Sequence, residues 1–225
     1  MIKISRNSVE PQSLTIEKNK RNGTYNTPEV VKALNKDFHN KCYLCESKNL
    51  KAINIEHFRS HGGDKELMFN WQNLFLSCSH CNNIKLDKYD NILDCTKVDV
   101  DELLCFRKKG QYGWEEVIEV TILVNNEETK STVELLEKIY NGTTQMKILE
   151  SSNIRKELRN EILDFIKAIN EYYSAEGEDK EDAKFLIKRN LKASSPFAAF
   201  KRWIIRDNKE NLLEFLDGEG IKCLV

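Results

Sequence analysis

Four cysteines fall in two identical pairs, Cys42-Tyr-Leu-Cys45 and Cys78-Ser-His-Cys81. A Cys-x-x-Cys turn presents two thiolates to one tetrahedral ion, and a second such turn closes the shell. The pairs are separated by 32 residues, more than in the shortest zinc ribbons, which leaves room for a hairpin between the two knuckles. A full thiolate shell has no open position for water, so the zinc expected here is structural. Two disulfides or four unrelated thiols are the alternative. The chain has seven cysteines, an odd number, and its Met-Ile-Lys-Ile-Ser-Arg-Asn start lacks the apolar stretch of a signal peptide. Both features point to a cytoplasmic protein with reduced thiols. Cys95, Cys105 and Cys223 are left over and read as small buried apolar residues.

The residues between and beside the pairs are those that handle phosphate. Phosphodiester cleavage needs a base that sharpens an attacking water and a hard cation that stabilises charge on the departing oxygen. Histidine suits the first role because its ordinary pKa lies near neutrality. Oxygen ligands suit magnesium or manganese in the second. Glu56 and His57 stand side by side, and Asn73 and Asn82 sit before and after the second knuckle. Neighbouring strand residues point to opposite faces, so Glu56 and His57 share a site only if the strand ends or bends there. The loop Arg59-Ser60-His61-Gly62-Gly63-Asp64 allows that. His61 is a candidate substrate contact, against the simpler reading of a solvent-facing loop histidine. His80, inside the second knuckle, competes as a ligand only if a thiolate is displaced. Lys85 faces phosphate or seals a helix.

These residues need elements to hold them. Thr27-Pro28-Glu29 is a helix start, with Thr at the N-cap and Pro at the first position, and Val30, Leu34 and Phe38 make one stripe. Residues 1–26 read as an extended arm. Lys51 to Phe58 alternates like a strand ending on Glu56-His57, Trp71 to Leu76 returns, with Trp71 in the core, and Asn82 to Lys88 starts a helix. Beyond Asp94, Trp114 to Val124 reads as a strand. Ser131-x-x-Glu134 reads as a capping box opening a helix through Tyr140. Ile154 to Tyr172 forms a long helical stripe, Gly177 to Asp182 an acidic surface turn, Ser195-Pro196 another helix start. Asn208 to Asp217 reads as a final helix closed by Gly218. The fold class is α+β, with an arm and helix at 1–40, a zinc-bearing unit at 41–95 and a mostly helical domain at 96–225.

Ile-Glu56-His57-Phe, Asn73-Leu-Phe-Leu-Ser-Cys and Cys81-Asn82-Asn83-Ile84-Lys85 together resemble the HNH endonuclease motif in its zinc-stapled form. The resemblance implies a ββα-metal unit between Cys42 and Lys88, a hairpin and a helix clasping one catalytic divalent ion, magnesium or manganese. It implies His57 as general base, Asn73 as the residue that steadies the hairpin loop and orients His57, and Glu56 and Asn82 as cation ligands. Glu56 departs from the Asp or His more usual at its position. Products would carry 5′-phosphate and 3′-hydroxyl ends. Lys85 and His61 are the candidate nucleic-acid contacts. The flanks, Ile-Lys-Ile-Ser-Arg, Ile92-Leu-Asp-Cys-Thr-Lys and Ser-Pro-Phe-Ala-Ala-Phe-Lys-Arg, are similar to the HNH nuclease subunit of Septu-type and retron-linked anti-phage systems. That subfamily implies an ABC-type ATPase partner docked by the helical half, and a nucleic-acid target, DNA above all. No Walker-type Gly-x-x-x-x-Gly-Lys-Ser/Thr occurs here, so nucleotide hydrolysis belongs to a partner.

Composition constrains rather than directs. The 225 residues are 40% hydrophobic and 32% charged, with a net charge of −1, and no apolar run is long enough to span a bilayer. The charge is uneven. Residues 1–57 hold ten Lys/Arg against six Asp/Glu, and Lys184 to Arg206 holds seven basic residues and no acidic one. Phosphate recognition needs only local positive potential, although a charge run is more often a solvated helix face. Two other readings use the same zinc unit without chemistry: a nucleic-acid-binding module, and an assembly protein whose zinc staples a partner interface.

Overall fold

The computed structural model describes residues 1–50, 52–110 and 115–217. Its elements run α1 (Gln12–Lys18), α2 (Pro28–Asp37), β1 (Ile53–His57), α3 (Lys65–Met68), a 3₁₀ turn at Trp71–Asn73, β2 (Leu74–Cys78), α4 (Ser79–Lys85) and α5 (Val100–Leu103). They continue with β3 (Leu104–Lys109), β4 (Val117–Ile122), α6 (Glu127–Asn141), α7 (Gln145–Ser174), α8 (Gly177–Leu191), α9 (Ala198–Asp207), α10 (Lys209–Leu212) and α11 (Glu214–Asp217). The class is α+β. Two antiparallel hairpins, β1–β2 and β3–β4, are set among helices.

The first hairpin frames the unit that carries the four paired cysteines. Ile53 pairs with Cys78 and His57 with Leu74, so Glu56 lies opposite Phe75. Four of the five β2 residues are buried. Phe75 is the hub: its ring stacks on Phe58 at 4.9 Å and meets Tyr43 at 5.0 Å and Phe38 at 5.3 Å. Fully burying a side chain of this kind contributes about 1.5–3 kcal/mol, and this cluster fixes where β1 ends. Helix α2 begins as its sequence dictates, with Thr27 Oγ1 accepting from Val30 N and Pro28 at the first position. Helix α4 packs on both strands.

The N-terminal stretch is a strap rather than a plain extended arm. Ile4 N donates to Cys95 O at 2.8 Å. The Arg6 guanidinium lies 4.1 Å over the Trp71 ring and donates to Trp71 O at 2.9 Å and Leu74 O at 3.2 Å. Residues 12–18 are helical because Leu14 finds a fully buried place.

One hydrophobic cluster joins the strap, the first hairpin, β3–β4, α6, the first half of α7 and α9. A smaller cluster joins the rest of α7 to α8, α9, α10 and α11. A buried ionic junction crosses between the first knuckle and the last helices. Glu46 accepts from Lys41 Nζ at 3.2 Å and from Ala198 N at 2.9 Å, and lies 3.0 Å from the Met1 ammonium. Lys41 also donates to Ser195 O at 2.8 Å. Burial pushes the Glu46 carboxyl up, but these cations outweigh it and hold it at about 2.

Several elements differ from the sequence expectations. Helix α6 opens at Glu127, four residues before the expected capping box: Asn126 and Thr129 cap each other reciprocally. The expected acidic turn at Gly177 is the first turn of α8, where Glu178 and Asp179 suit the positive helix end and Ala183, Ile187 and Leu191 bury one face. Strand β3 was not expected; its burial stops at Phe106, too short an alternation to read. The expected final helix is two short pieces, α10 and α11. Helix α4 starts at Ser79, inside the knuckle, not at Asn82. Lys51, Trp114, Gly218 and Cys223 lie outside the described residues.

Candidate functional site

The four paired cysteines converge. Their sulfur atoms all lie within 4.8 Å of one another, and Cys45 and Cys78 are 3.9 Å apart. A tetrahedral zinc with arms of about 2.3 Å needs sulfur–sulfur edges of about 3.8 Å, so the set fits zinc, and among the described residues no other such cluster stands. Cys42, Cys45 and Cys81 are buried, where free thiolates are costly without a cation. Burial resists ionisation of Cys42, yet hydrogen bonds from the other three thiols draw its pKa well below the ordinary value. Hydrogen bonds from Cys42 and Cys78 push Cys45 well up, and burial does the same to Cys81. The zinc these residues would hold pins the start of α4, where Cys78 is the N-cap, to the turn before β1. His80 is no competitor: its Nδ1 meets Glu150 Oε2 at 2.6 Å and its Nε2 meets Ile139 O at 2.8 Å. Cys95 and Cys105 are buried and free, with burial pushing both thiols up, Cys105 to about 11.

Beside this cluster lies a pocket of about 380 Å³ lined by Glu56, His57, Ser60, His61 and Asn82, with Tyr25, Leu86 and Asp87 among the rest. Glu56 and His57 share it because β1 ends at His57 and the chain bends at once. The His57 ring is fixed on three sides. Its Nε2 meets Met68 O at 2.9 Å, and the Tyr25 and His61 rings approach it edge-on, each with centroids 4.6 Å away. A carbonyl only accepts, so Nε2 carries the proton and Nδ1 keeps its lone pair. Burial lowers the His57 pKa below the ordinary imidazole value, which keeps the ring neutral near pH 7.

Asn73 fastens the loop that holds Met68. Its Oδ1 accepts from Arg59 N at 2.8 Å, and its Nδ2 donates to Arg59 O at 2.9 Å and Leu67 O at 3.1 Å. Ser60 N and Oγ donate to Asp90, tying the same loop to the chain beyond α4.

Glu56 is only 5% exposed. Its Oε1 lies 3.2 Å from Lys85 Nζ, while its Oε2 is buried with no hydrogen-bond partner among the described residues. Burial raises its pKa to about 7, against the pull of Lys85. An orphaned carboxylate oxygen, with the Asn82 amide on the same pocket, is a donor set that suits a hard divalent cation. Lys85 is a correction. Its side chain is fully buried, and Nζ donates to His57 O at 3.1 Å and Leu86 O at 3.3 Å, with Asp90 at 3.6 Å. It seals the end of α4 and does not reach phosphate. Tyr25 is the residue that sequence reasoning missed: it stands between two helices with no motif to mark it.

A larger groove of about 580 Å³, between β3, α7 and α9, has no histidine or cysteine among its described residues, and its four cations, Arg107, Lys108, Lys109 and Arg159, are each paired with a carboxylate.

The chain is similar to the Septu protein PtuB of Bacillus thuringiensis, with 34% identity over 67 residues, 28% of this chain and 26% of that protein. It thus aligns with about a quarter of that relative's length. No family model matches, and no solved structure matches. No helix among the described residues is long and apolar enough to cross a membrane.

Proposed function

We propose that this protein is an HNH-type, metal-dependent endonuclease that hydrolyses phosphodiester bonds in nucleic acid, with DNA as the expected substrate. The observation that carries the reading is one pocket, beside a four-thiol cluster, lined by a neutral His57 with its Nδ1 lone pair available, an orphaned Glu56 oxygen and Asn82. His57 accepts a proton from the attacking water at Nδ1. Met68 O keeps the ring in the right tautomer, and Asn73 keeps Met68 in place through Leu67. Glu56 and Asn82 would hold the divalent cation, magnesium or manganese, which when bound would supply neutralisation of the charge that develops in the reaction. The zinc held by Cys42, Cys45, Cys78 and Cys81 is structural.

The likeness to the Septu protein PtuB supports a role in anti-phage defence. In that role the chain works beside an ABC-type ATPase that supplies nucleotide hydrolysis. The test is plasmid nicking by the zinc-loaded chain, alone and with an ABC-type ATPase partner, in magnesium, manganese and EDTA. Nicking with the divalent ions, none in EDTA, and none by His57→Ala with unchanged zinc content is the expected pattern. Full nicking by His57→Ala overturns the assignment of the base.

A further inference from the structure

We infer that His61 is a hydrogen-bond donor to the scissile phosphate, acting through Nε2–H opposite the acceptor that His57 presents. The inference rests on the phosphodiester reading above and assigns the second imidazole of the same pocket.

The two rings sit 4.6 Å apart at 64°, and each is pinned by one backbone group at opposite ends. His57 spends its Nε2 on Met68 O. His61 Nδ1 accepts from Gly63 N at 3.1 Å. A backbone N–H only donates, so in the neutral ring of His61 the proton lies on Nε2. Both rings hold the same tautomer but offer opposite ends: His57 a lone pair, His61 an N–H. The turn that allows this is built from Gly62 at φ 54° and Gly63 at φ 92°, a conformation that glycine adopts without the strain of a Cβ. A Cβ built at either glycine would touch nothing within 4 Å, so backbone conformation and not crowding calls for glycine there.

In-line attack on a phosphodiester needs both ends. The water oxygen forms its bond to phosphorus, its proton passes to His57 Nδ1, and the bond to the departing oxygen breaks with its electron pair leaving on that oxygen, which takes a proton from solvent water. Negative charge gathers on the phosphate oxygens, where a positioned donor stabilises it. His61 supplies that donor and keeps its own proton throughout.

The first test needs no turnover. On the zinc-loaded chain labelled with ¹⁵N-histidine, long-range ¹⁵N–¹H correlation at about pH 8, where an ordinary imidazole is neutral, reads each tautomer. The expected result is Nε2–H at both His57 and His61, with dimethyl phosphate shifting the His61 Nε2 signal in a saturable way. An Nδ1–H tautomer at His61, or no response of His61 to dimethyl phosphate, overturns the inference. The second test is magnesium-dependent nicking. His61→Gln places an amide N–H where Nε2 stands and keeps the rate within roughly threefold, whereas His61→Asn and His61→Leu lose about a hundredfold in kcat with KM little changed, as for loss of one preorganised donor. A His61→Leu variant as fast as the parent also overturns it. A parent chain that never nicks defeats the nuclease reading instead, and the tautomer and phosphate titration still decide His61.

Discussion

Asn73 is where stability and proposed chemistry meet in one side chain. Replacing it with Ala removes three hydrogen bonds, to Arg59 N, Arg59 O and Leu67 O. A net contribution of about 1 kcal/mol each gives an upper sum of about 3 kcal/mol. Arg59 is exposed and Leu67 half-buried, so water takes over part of the pairing, and the expected loss is about 2 kcal/mol. That is about a thirtyfold shift of the folding equilibrium. Asn73→Asp is the sharper perturbation. Its carboxylate still accepts from Arg59 N, but its second oxygen faces two carbonyls, Arg59 O and Leu67 O, and can only be repelled. The expected order of stability is therefore Asn, then Ala, then Asp. Urea denaturation of the zinc-loaded proteins, followed by far-ultraviolet circular dichroism, measures it. Met68 O is the partner of His57 Nε2, so the nicking rate falls in the same order. An Asn73→Asp variant as stable as the parent would refute the fastening role, because no arrangement of two acceptors replaces the amide donor.

Three other outcomes follow from the geometry. Removing zinc with a strong chelator, or replacing Cys81 with Ser, unfolds the first hairpin, since the ion's binding free energy is folding free energy; amide exchange across β1 and β2 rises while α7 stays protected. Glu46→Ala strands the fully buried Lys41 ammonium and costs about 3 kcal/mol in thermal or urea unfolding; a loss under 1 kcal/mol would mean that the junction between the knuckle and α9 is not the tie that it looks. Tyr25→Leu removes the ring edge that meets His57 and lowers kcat about tenfold, within the range for misplaced catalytic groups. Tyr25→Phe keeps that edge and keeps the rate.

Legibility tracked how local the physics is. The four-thiol cluster needed only the spacing of four cysteines, and α2 only Thr27-Pro28 and one stripe, so both stand where the residues pointed. The hairpin was readable because Ile53 and Ile55 alternate with polar neighbours up to Glu56-His57, and β1 does end there. What failed depended on distant partners. Lys85 is a cation by composition, and nothing in its neighbourhood of sequence shows that His57 O and Glu56 close over it. Tyr25 meets His57 across 32 positions. The strap's Arg6 finds Trp71 65 positions away. Helix α8 was hidden because Gly177 and an acidic run look like a turn until Ala183, Ile187 and Leu191 are seen buried against α7 and α9.

The buried position of Lys85 changes how the pocket balances charge. A lysine reaching outward would add positive potential for the nucleic-acid backbone. Turned inward, it instead meets two carboxylates, Glu56 at 3.2 Å and Asp90 at 3.6 Å. With the carboxylates ionised, these three groups carry one net negative charge, the exposed Asp87 on the same pocket makes it two, and His57 adds none while neutral. Under the proposed reading, a divalent cation on Glu56 Oε2 and Asn82 would bring the total to zero. The same pocket without Lys85 would stand at three negative charges, bind the cation more tightly, and keep a net negative charge that repels phosphate. A buried amine thus does electrostatically what a surface contact would have done, by setting the charge that remains once the cation is in place, which accounts for a fully desolvated lysine at this end of α4.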